Sequence, residues 1–386
     1  MLSLQDKRVL QAFSEALSAI PSEIRFFKSR NHGRAAKVLV GSTARHLGLN
    51  MNLSEPDRIR TLLLDLGDHV RQCVLNARRD NDAADLAAIA RESIADTIYG
   101  IDRISEDAIN AWFTDRWPPT IPVELVMEGV DPRYPVTFPA KIPPEQTEAK
   151  IILDPIDGTR GLMYDKRAGW FLAGVAPQRG SATRLLDIEV AVMVELPTTK
   201  HWRADRFSAI RGYGVLSDSV NVLTGEIQPH SVRPSGAPDM LHGFGYISRF
   251  LPAGKALTAA VEEQLWDRLY ADGPGKEVVL FEDQYISTGG QFCELLSGHD
   301  RMIADIRPLV FKKLGIPSAL CCHPYDVAAA LVLQEAGIIL ESPDGSPLDG
   351  PLDTTSPISW VGYANPRLAG HIRPVLRAVL KEMLDA

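Results

Sequence analysis

Two aspartates, Asp154 and Asp157, follow directly on the apolar run Ile151-Ile152-Leu153 and precede Gly158 and Thr159. A buried strand that runs into carboxylates is a poor way to build a core and a good way to hold a hard cation. Carboxylate and carbonyl oxygens suit Mg²⁺, which takes few protein ligands and leaves its remaining positions to water and phosphate. Pro155 turns the backbone so that the Ile156 carbonyl can face such an ion. Gly158 lets the main chain come close to a ligand. Thr159 caps or opens a following helix, whose free N–H groups favour phosphate.

Three further carboxylates stand where they could join this pair. Alternation over Val123 to Gly129 predicts a strand with Val123, Leu125 and Met127 on one face, and it delivers Glu128 just before a glycine. If that strand neighbours the one at Ile151, Glu128 and Asp154/Asp157 end at the same sheet edge. Asp102 precedes the helical pattern Ser105 to Phe113, where a plain N-cap is the ordinary role; the alternative is a carboxylate that orients a hydroxyl and a water. Asp326 opens the pattern Val327 to Ala336, read as a helix closed by Gly337. There too a cap is the simpler role.

The elements that must position these groups can be followed in order. The first fifty-odd residues read as two helices without a chemical motif, joined through a basic loop at Ser29 to Arg34. A longer helix is expected from Ser54, with Ser54 and Asp57 as a capping box, and a charged loop from Asn76 to Asp85. Asp131 to Glu148 reads as a surface loop or flap. Strands follow at Trp170 to Ala176, Ile188 to Leu196 and His201 to Ile210, continuing as a meander past Gly225, so an antiparallel sheet is expected. Ala259 to Tyr270 reads as a helix. Ile286-Ser287-Thr288-Gly289-Gly290-Gln291 opens another that Gly298 stops. Strands at Met302 to Ile306 and Ile338 to Glu341, then a helix from Pro366 to Leu384, complete the chain.

Composition narrows the class. The 386 residues give room for one large or two medium domains, and 45% apolar with 23% charged residues is ordinary for a soluble globular protein. A formal charge of −8 with no basic face argues against nucleic acid as a partner. Cys73, Cys293, Cys321 and Cys322 fit neither a CxxC pair nor a disulfide framework, so reduced thiols and a cytoplasmic location are expected. No stretch reaches membrane-spanning length.

Asp154-Pro155-Ile156-Asp157-Gly158-Thr159, followed much later by Tyr325-Asp326-Val327-Ala328-Ala329-Ala330 and Glu335-Ala336-Gly337, resembles the inositol monophosphatase family. This lithium-sensitive, Mg²⁺-dependent phosphatase superfamily also holds fructose-1,6-bisphosphatases and 3'(2'),5'-bisphosphate nucleotidases. The resemblance implies an α+β fold, the layered α-β-α-β-α sandwich. Residues 1–54 would be an extra helical segment, 55–210 the half with the aspartate motif and 211–386 the half with Asp326. It implies two or three Mg²⁺ ions: Glu128, Asp154 and the Ile156 carbonyl hold one, and Asp154, Asp157 and Asp326 a second. Thr159 paired with Asp102 would activate the attacking water. Gly158, Thr159, Arg160, Gly289 and Gly290 are the positions expected to meet substrate. The implied activity is hydrolysis of a small phosphate ester, inositol or sugar phosphate ahead of bisphosphate nucleotides and fructose-1,6-bisphosphate, by a homodimer. A catalytically silent phospho-ligand binder is the non-enzymic alternative. Gly129 stands where many relatives have a second glutamate, and Ala319 near where inositol enzymes have a substrate-binding one.

Overall fold

Pro155 has no N–H to give a strand ladder, and it lies at the point where a nine-residue buried strand leaves regular pairing. The computed structural model describes residues 52–80, 89–92, 97–131, 133–270, 280–317 and 320–385. All belong to the unit Met51–Ala386. The helices and basic loop expected before Gly48, and Ala319, lie outside the described residues.

Among the described residues the α-helices are α1 (Pro56–Asp80), α2 (Gly100–Arg116), α3 (Thr159–Met163), α4 (Lys255–Tyr270), α5 (Thr288–Ser297), α6 (Arg307–Leu314), α7 (Ala330–Glu335) and α8 (Pro366–Leu384). A two-stranded ribbon pairs β1 (Ile89–Glu92) with β2 (Thr97–Tyr99). The larger sheet is built from β3 (Val123–Met127), β4 (Val136–Phe138), β5 (Ala149–Asp157), β6 (Gly169–Pro177), β7 (Val190–Leu196), β8 (Arg203–Ile210), β9 (Val215–Asn221) and β10 (Ile227–Pro229). Its eight strands run in the order β10-β9-β8-β7-β6-β5-β3-β4. The second sheet contains β11 (Gly243–Ile247), β12 (Leu280–Phe281), β13 (Asp300–Asp305), β14 (Ile339–Glu341) and β15 (Trp360–Tyr363) in the order β12-β11-β13-β15-β14.

Alternation along the strands builds the layers. Ile151 and Leu153 of β5 pack with Ile59, Leu63 and Leu66 of α1 and Ile109 and Phe113 of α2, while Ile152 faces the other way. That second side joins Trp170 and Leu172 of β6, Phe292 and Leu295 of α5, Leu331 and Val332 of α7, and Ile303 and Trp360 of the smaller sheet. Beyond it, Met302 and Ala304 pack with Val261 and Leu265 of α4 and Ile372 and Leu376 of α8. The result is the α-β-α-β-α sandwich expected from the motifs, and strands buried on both faces read as continuous apolar runs.

Several local expectations change. β3 and β5 run parallel, with Met127 opposite Leu153, inside an otherwise antiparallel sheet. The Ser54 hydroxyl donates to Glu148 rather than serving Asp57, and α1 continues through Asn76 to Asp80 because its apolar stripe persists to Ala77. The Asp131–Glu148 segment contains β4. The last chemical segment is helical only from Ala330: Tyr325 to Ala329 form successive turns, in which Ala328 N–H donates to the Tyr325 carbonyl. Among the described residues no helix is long and apolar enough to cross a membrane.

One close approach ties the fold to the acidic cluster. A Cβ added at Gly174, in the middle of β6, would lie 2.4 Å from the carbonyl oxygen of Ala328, two residues after Asp326. Only glycine lets the Asp326 turn sit directly on the sheet. Gly174→Ala should therefore cost about 1–3 kcal/mol in thermal or urea denaturation by overpacking and weaken divalent-cation binding. Gly236→Ala, which meets nothing within 4 Å, should change neither; equal behaviour of the two variants would contradict this account.

Candidate active site

In a regular strand, residues three apart point to opposite faces. Between Asp154 and Asp157 the ladder slips: Asp154 pairs with Leu172 and Asp157 with Trp170, so β5 spends one residue more than β6. This bulge resets the alternation and turns both carboxylates to one side. The parallel neighbour brings in Glu128, whose N–H lies 3.4 Å from the Leu153 carbonyl. Asp326 arrives from the turn held on Gly174. Ligand oxygens of Asp154, Asp157 and Asp326 all lie within 4.8 Å of one another, and Glu128 lines the same pocket.

Each of the three aspartates is held by backbone or hydroxyl donors. Ile156 N–H donates to Asp154 Oδ1 at 3.0 Å. Asp157 Oδ2 accepts from the Ser287 hydroxyl at 3.1 Å and from Gly289 N–H. Asp326 Oδ2 accepts from His323 N–H at 2.6 Å, and the His323 ring nitrogen Nδ1 is 3.7 Å from the same oxygen. Burial would lower the His323 pKa, but Asp326 and Cys321 hold its imidazole up at about 10.

The electrostatics are those of crowded acids. Asp154 is 2% exposed and Asp157 6%. Burial first, then Glu128, Asp157 and Asp326, push Asp154 well above the usual carboxylate range. Burial and Asp326 raise Asp157 to about 7, against its hydrogen bonds. Without a cation, like charges this close cannot all ionise. The donor set is all oxygen, buried and negatively charged, which fits a hard divalent cation such as Mg²⁺.

Beside this cluster the Thr159 hydroxyl lies 2.9 Å from Asp102 Oδ1 and 2.7 Å from the Ile156 carbonyl. It has one hydrogen for two acceptors; donated to Asp102, it leaves the carbonyl free. The other Asp102 oxygen accepts from Tyr99 N–H at 2.8 Å at the start of α2. The cap and the hydroxyl partner are thus the same carboxylate. Gly158 adopts φ +87°, and a Cβ there would lie 2.8 Å from Ser287 Cβ, so glycine is needed both for the turn and for the approach of the Asp157 clamp.

Asp102, Glu128, Asp154, Ile156, Asp157, Gly158, Thr159, Arg160 and Asp326 all line one pocket with about 140 Å³ of free space. Arg160 stacks 5.5 Å above the Tyr99 ring at its edge. Gly289 and Gly290, expected to meet substrate, do not line it: Gly289 serves Asp157, and Gly290 N–H donates to the Ser287 hydroxyl at 2.9 Å. Ser287 and Arg307 were not singled out by the sequence. A serine opening a helix was the available signal for Ser287; for Arg307 there was none.

Solved structures share this arrangement of elements. The SuhB extragenic suppressor protein of Bartonella henselae superposes with a TM-score of 0.55 at 15% identity, over 84% of this chain and 99% of that one. Leishmania major fructose-1,6-bisphosphatase gives 0.56 at 15%, over 82% and 93%. A Pyrococcus horikoshii protein described by its similarity to inositol-1 monophosphatase gives 0.53 at 15%, over 83% and 98%. The fold is that of the inositol monophosphatases and fructose-1,6-bisphosphatases. No family model matches the sequence, and no curated protein matches it. The inositol monophosphatase fold is thus retained at an identity where the likeness lies in structure rather than in aligned sequence.

The crowding has a measurable consequence. A carboxyl whose pKa rises on folding favours the folded state below its ordinary value of 3.8 and loses that contribution as pH rises through about 7. The metal-free protein should therefore lose thermal stability between about pH 4 and about pH 7, and Asp157→Asn should reduce that loss. Mg²⁺ should raise the melting temperature more at the upper end than at the lower. A pH-independent Mg²⁺ effect would contradict the crowding.

Proposed function

We propose that the chain is a divalent-cation-dependent phosphomonoesterase releasing phosphate from a small phosphorylated metabolite. An inositol or sugar phosphate leads, with bisphosphate nucleotides and fructose-1,6-bisphosphate as alternatives. The observation that carries this is the meeting of three aspartates within 4.8 Å beside a threonine hydroxyl 2.9 Å from a buried carboxylate. The fold neighbours support it, since their own descriptions name inositol monophosphatase and fructose-1,6-bisphosphatase.

In this reading Glu128, Asp154 and the Ile156 carbonyl hold one Mg²⁺, and Asp154, Asp157 and Asp326 another. When bound, the ions supply Lewis acidity to the phosphoryl oxygens and lower the pKa of water. The chain supplies orientation. Asp102 takes the Thr159 hydrogen, so the Oγ1 lone pairs face the pocket and accept a hydrogen from water, aiming it at phosphorus. The Ser287 hydroxyl is committed to Asp157 and Gly290, so direct displacement by water needs no covalent enzyme intermediate. Gly158 and Thr159 N–H groups at the start of α3 steady the phosphate.

Phosphate release from a panel of these esters, with Mg²⁺ or with chelator, tests the proposal. Wild type should turn over at least one ester only with the cation. Asp154→Asn should abolish turnover, and Thr159→Ala should lower kcat by about 10²–10⁴-fold while the variants stay folded by circular dichroism. Binding of esters without turnover would instead mark a phospho-ligand binder. Full activity of Asp154→Asn would overturn the mechanism.

A further inference from the structure

Lys150 interrupts the apolar run of β5. It is 8% exposed and stands directly across from Glu124 on the parallel strand β3. Its ammonium lies 3.2 Å from Glu124 Oε2 and donates to the Gly180 carbonyl at 3.3 Å. Gln178 Nε2 donates to the same Glu124 oxygen at 2.6 Å. An apolar pair of similar volume would pack at least as well, since a buried ion pair adds little net stability. Stability alone therefore does not account for the pair.

Glu124 and Lys150 line a cavity with about 310 Å³ of free space, against about 140 Å³ in the active pocket, and the two share no lining residue. The pair precedes Glu128 and Asp154 by four residues on the same two strands, about 13 Å along a strand. Val126, Met127 and Leu352 supply apolar lining. An ammonium carries three hydrogens and a carboxylate two oxygens. Among the described residues, one Lys150 hydrogen and Glu124 Oε1 have no protein partner. Neither has the hydroxyl of Thr354, which lines the same cavity and is 7% exposed. The other two acids of the lining are committed to their own turns, Asp131 to Arg133 and Asp353 to the N–H groups of Thr355 and Ser356. What remains is a donor beside an acceptor on a pair without net charge, with Asp353 near enough to disfavour an anion. Hydroxyl groups, each donor and acceptor at once, match that arrangement.

We propose that this cavity is a second binding site, for a small uncharged polyol. Neighbouring hydroxyls of the ligand accept from Lys150 and donate to Glu124, another meets Thr354, and the C–H face rests on Val126 and Leu352. The site stands independently of the hydrolase reading.

Methyl-¹³C methionine spectra of the full chain, titrated with glucose or sorbitol, test this. Met127 lines the cavity, and Met163 belongs to α3, which opens at the active pocket. Either polyol should shift the Met127 resonance saturably and leave Met163 in place, whereas alanine, a zwitterion, and inorganic phosphate should leave Met127 unmoved. Glu124→Gln combined with Lys150→Met, which leaves no unpaired buried charge, should weaken polyol binding at least about tenfold. Thr354→Val, which keeps the ion pair, should weaken it by about 2–10-fold. The remaining methionine resonances report whether each variant is folded. A Met127 resonance indifferent to both polyols would overturn the proposal, leaving the cavity hydrated and the ion pair structural. So would tighter binding of alanine or phosphate at Met127, or polyol binding that the folded variants leave unchanged.

Discussion

Negative charges forced together out of water dominate this structure. Asp154 and Asp157 are nearly fully buried, Asp326 faces them, and Glu128 stands at the end of the adjoining strand. Nothing in a hydrophobic core favours that grouping, and in isolation it opposes folding. The surrounding layers supply the stability that lets it persist: aliphatic side chains of α1 and α2 on one side of the larger sheet, and those of α5, α7 and the smaller sheet on the other. Backbone N–H groups of Ile156, Gly289 and His323 fix the aspartate side chains without neutralising them. The protein holds a deficit of positive charge that a hard cation answers.

The geometry also gives each neighbouring residue a defined task. The Pro155 bulge turns two aspartates the same way, Gly174 admits the Asp326 turn, and Gly158 admits the Ser287 loop. Asp102 serves at once as the first-turn partner of Tyr99 N–H and as the acceptor for Thr159. The local capping role that any helix-opening aspartate can play is therefore compatible with a long-range one, because a carboxylate has two oxygens.

Much of this was legible in the sequence because its signals are local. Apolar runs ending in acids marked the ends of β3 and β5, and the bounds of α8 follow from Asn365-Pro366 and the apolar stripe beyond. What could not be read depended on distant contacts. β11 and β15 are short, and Gly243, Gly245 and Gly362 dilute their strand character; they become strands because β13 pairs with both. Asp326 begins turns rather than a helix because the segment lies against Gly174, from a strand some 150 residues earlier in sequence. Arg307 carries no local signal, since a single arginine near a proline is ordinary until Asp305, Phe250 and the Leu320 carbonyl surround it. Fold retention at 15% identity follows the same division: apolar layers tolerate extensive exchange of side chains if volume and pattern are kept.

Calorimetric titration of the metal-free protein with Mg²⁺ near neutral pH tests the central claim most directly. Saturable binding with proton release, weakened at least about tenfold by Asp326→Asn although that residue lies far along the chain from Asp154, is the result the structure predicts. Absence of binding, or binding that Asp326→Asn leaves untouched, would contradict it.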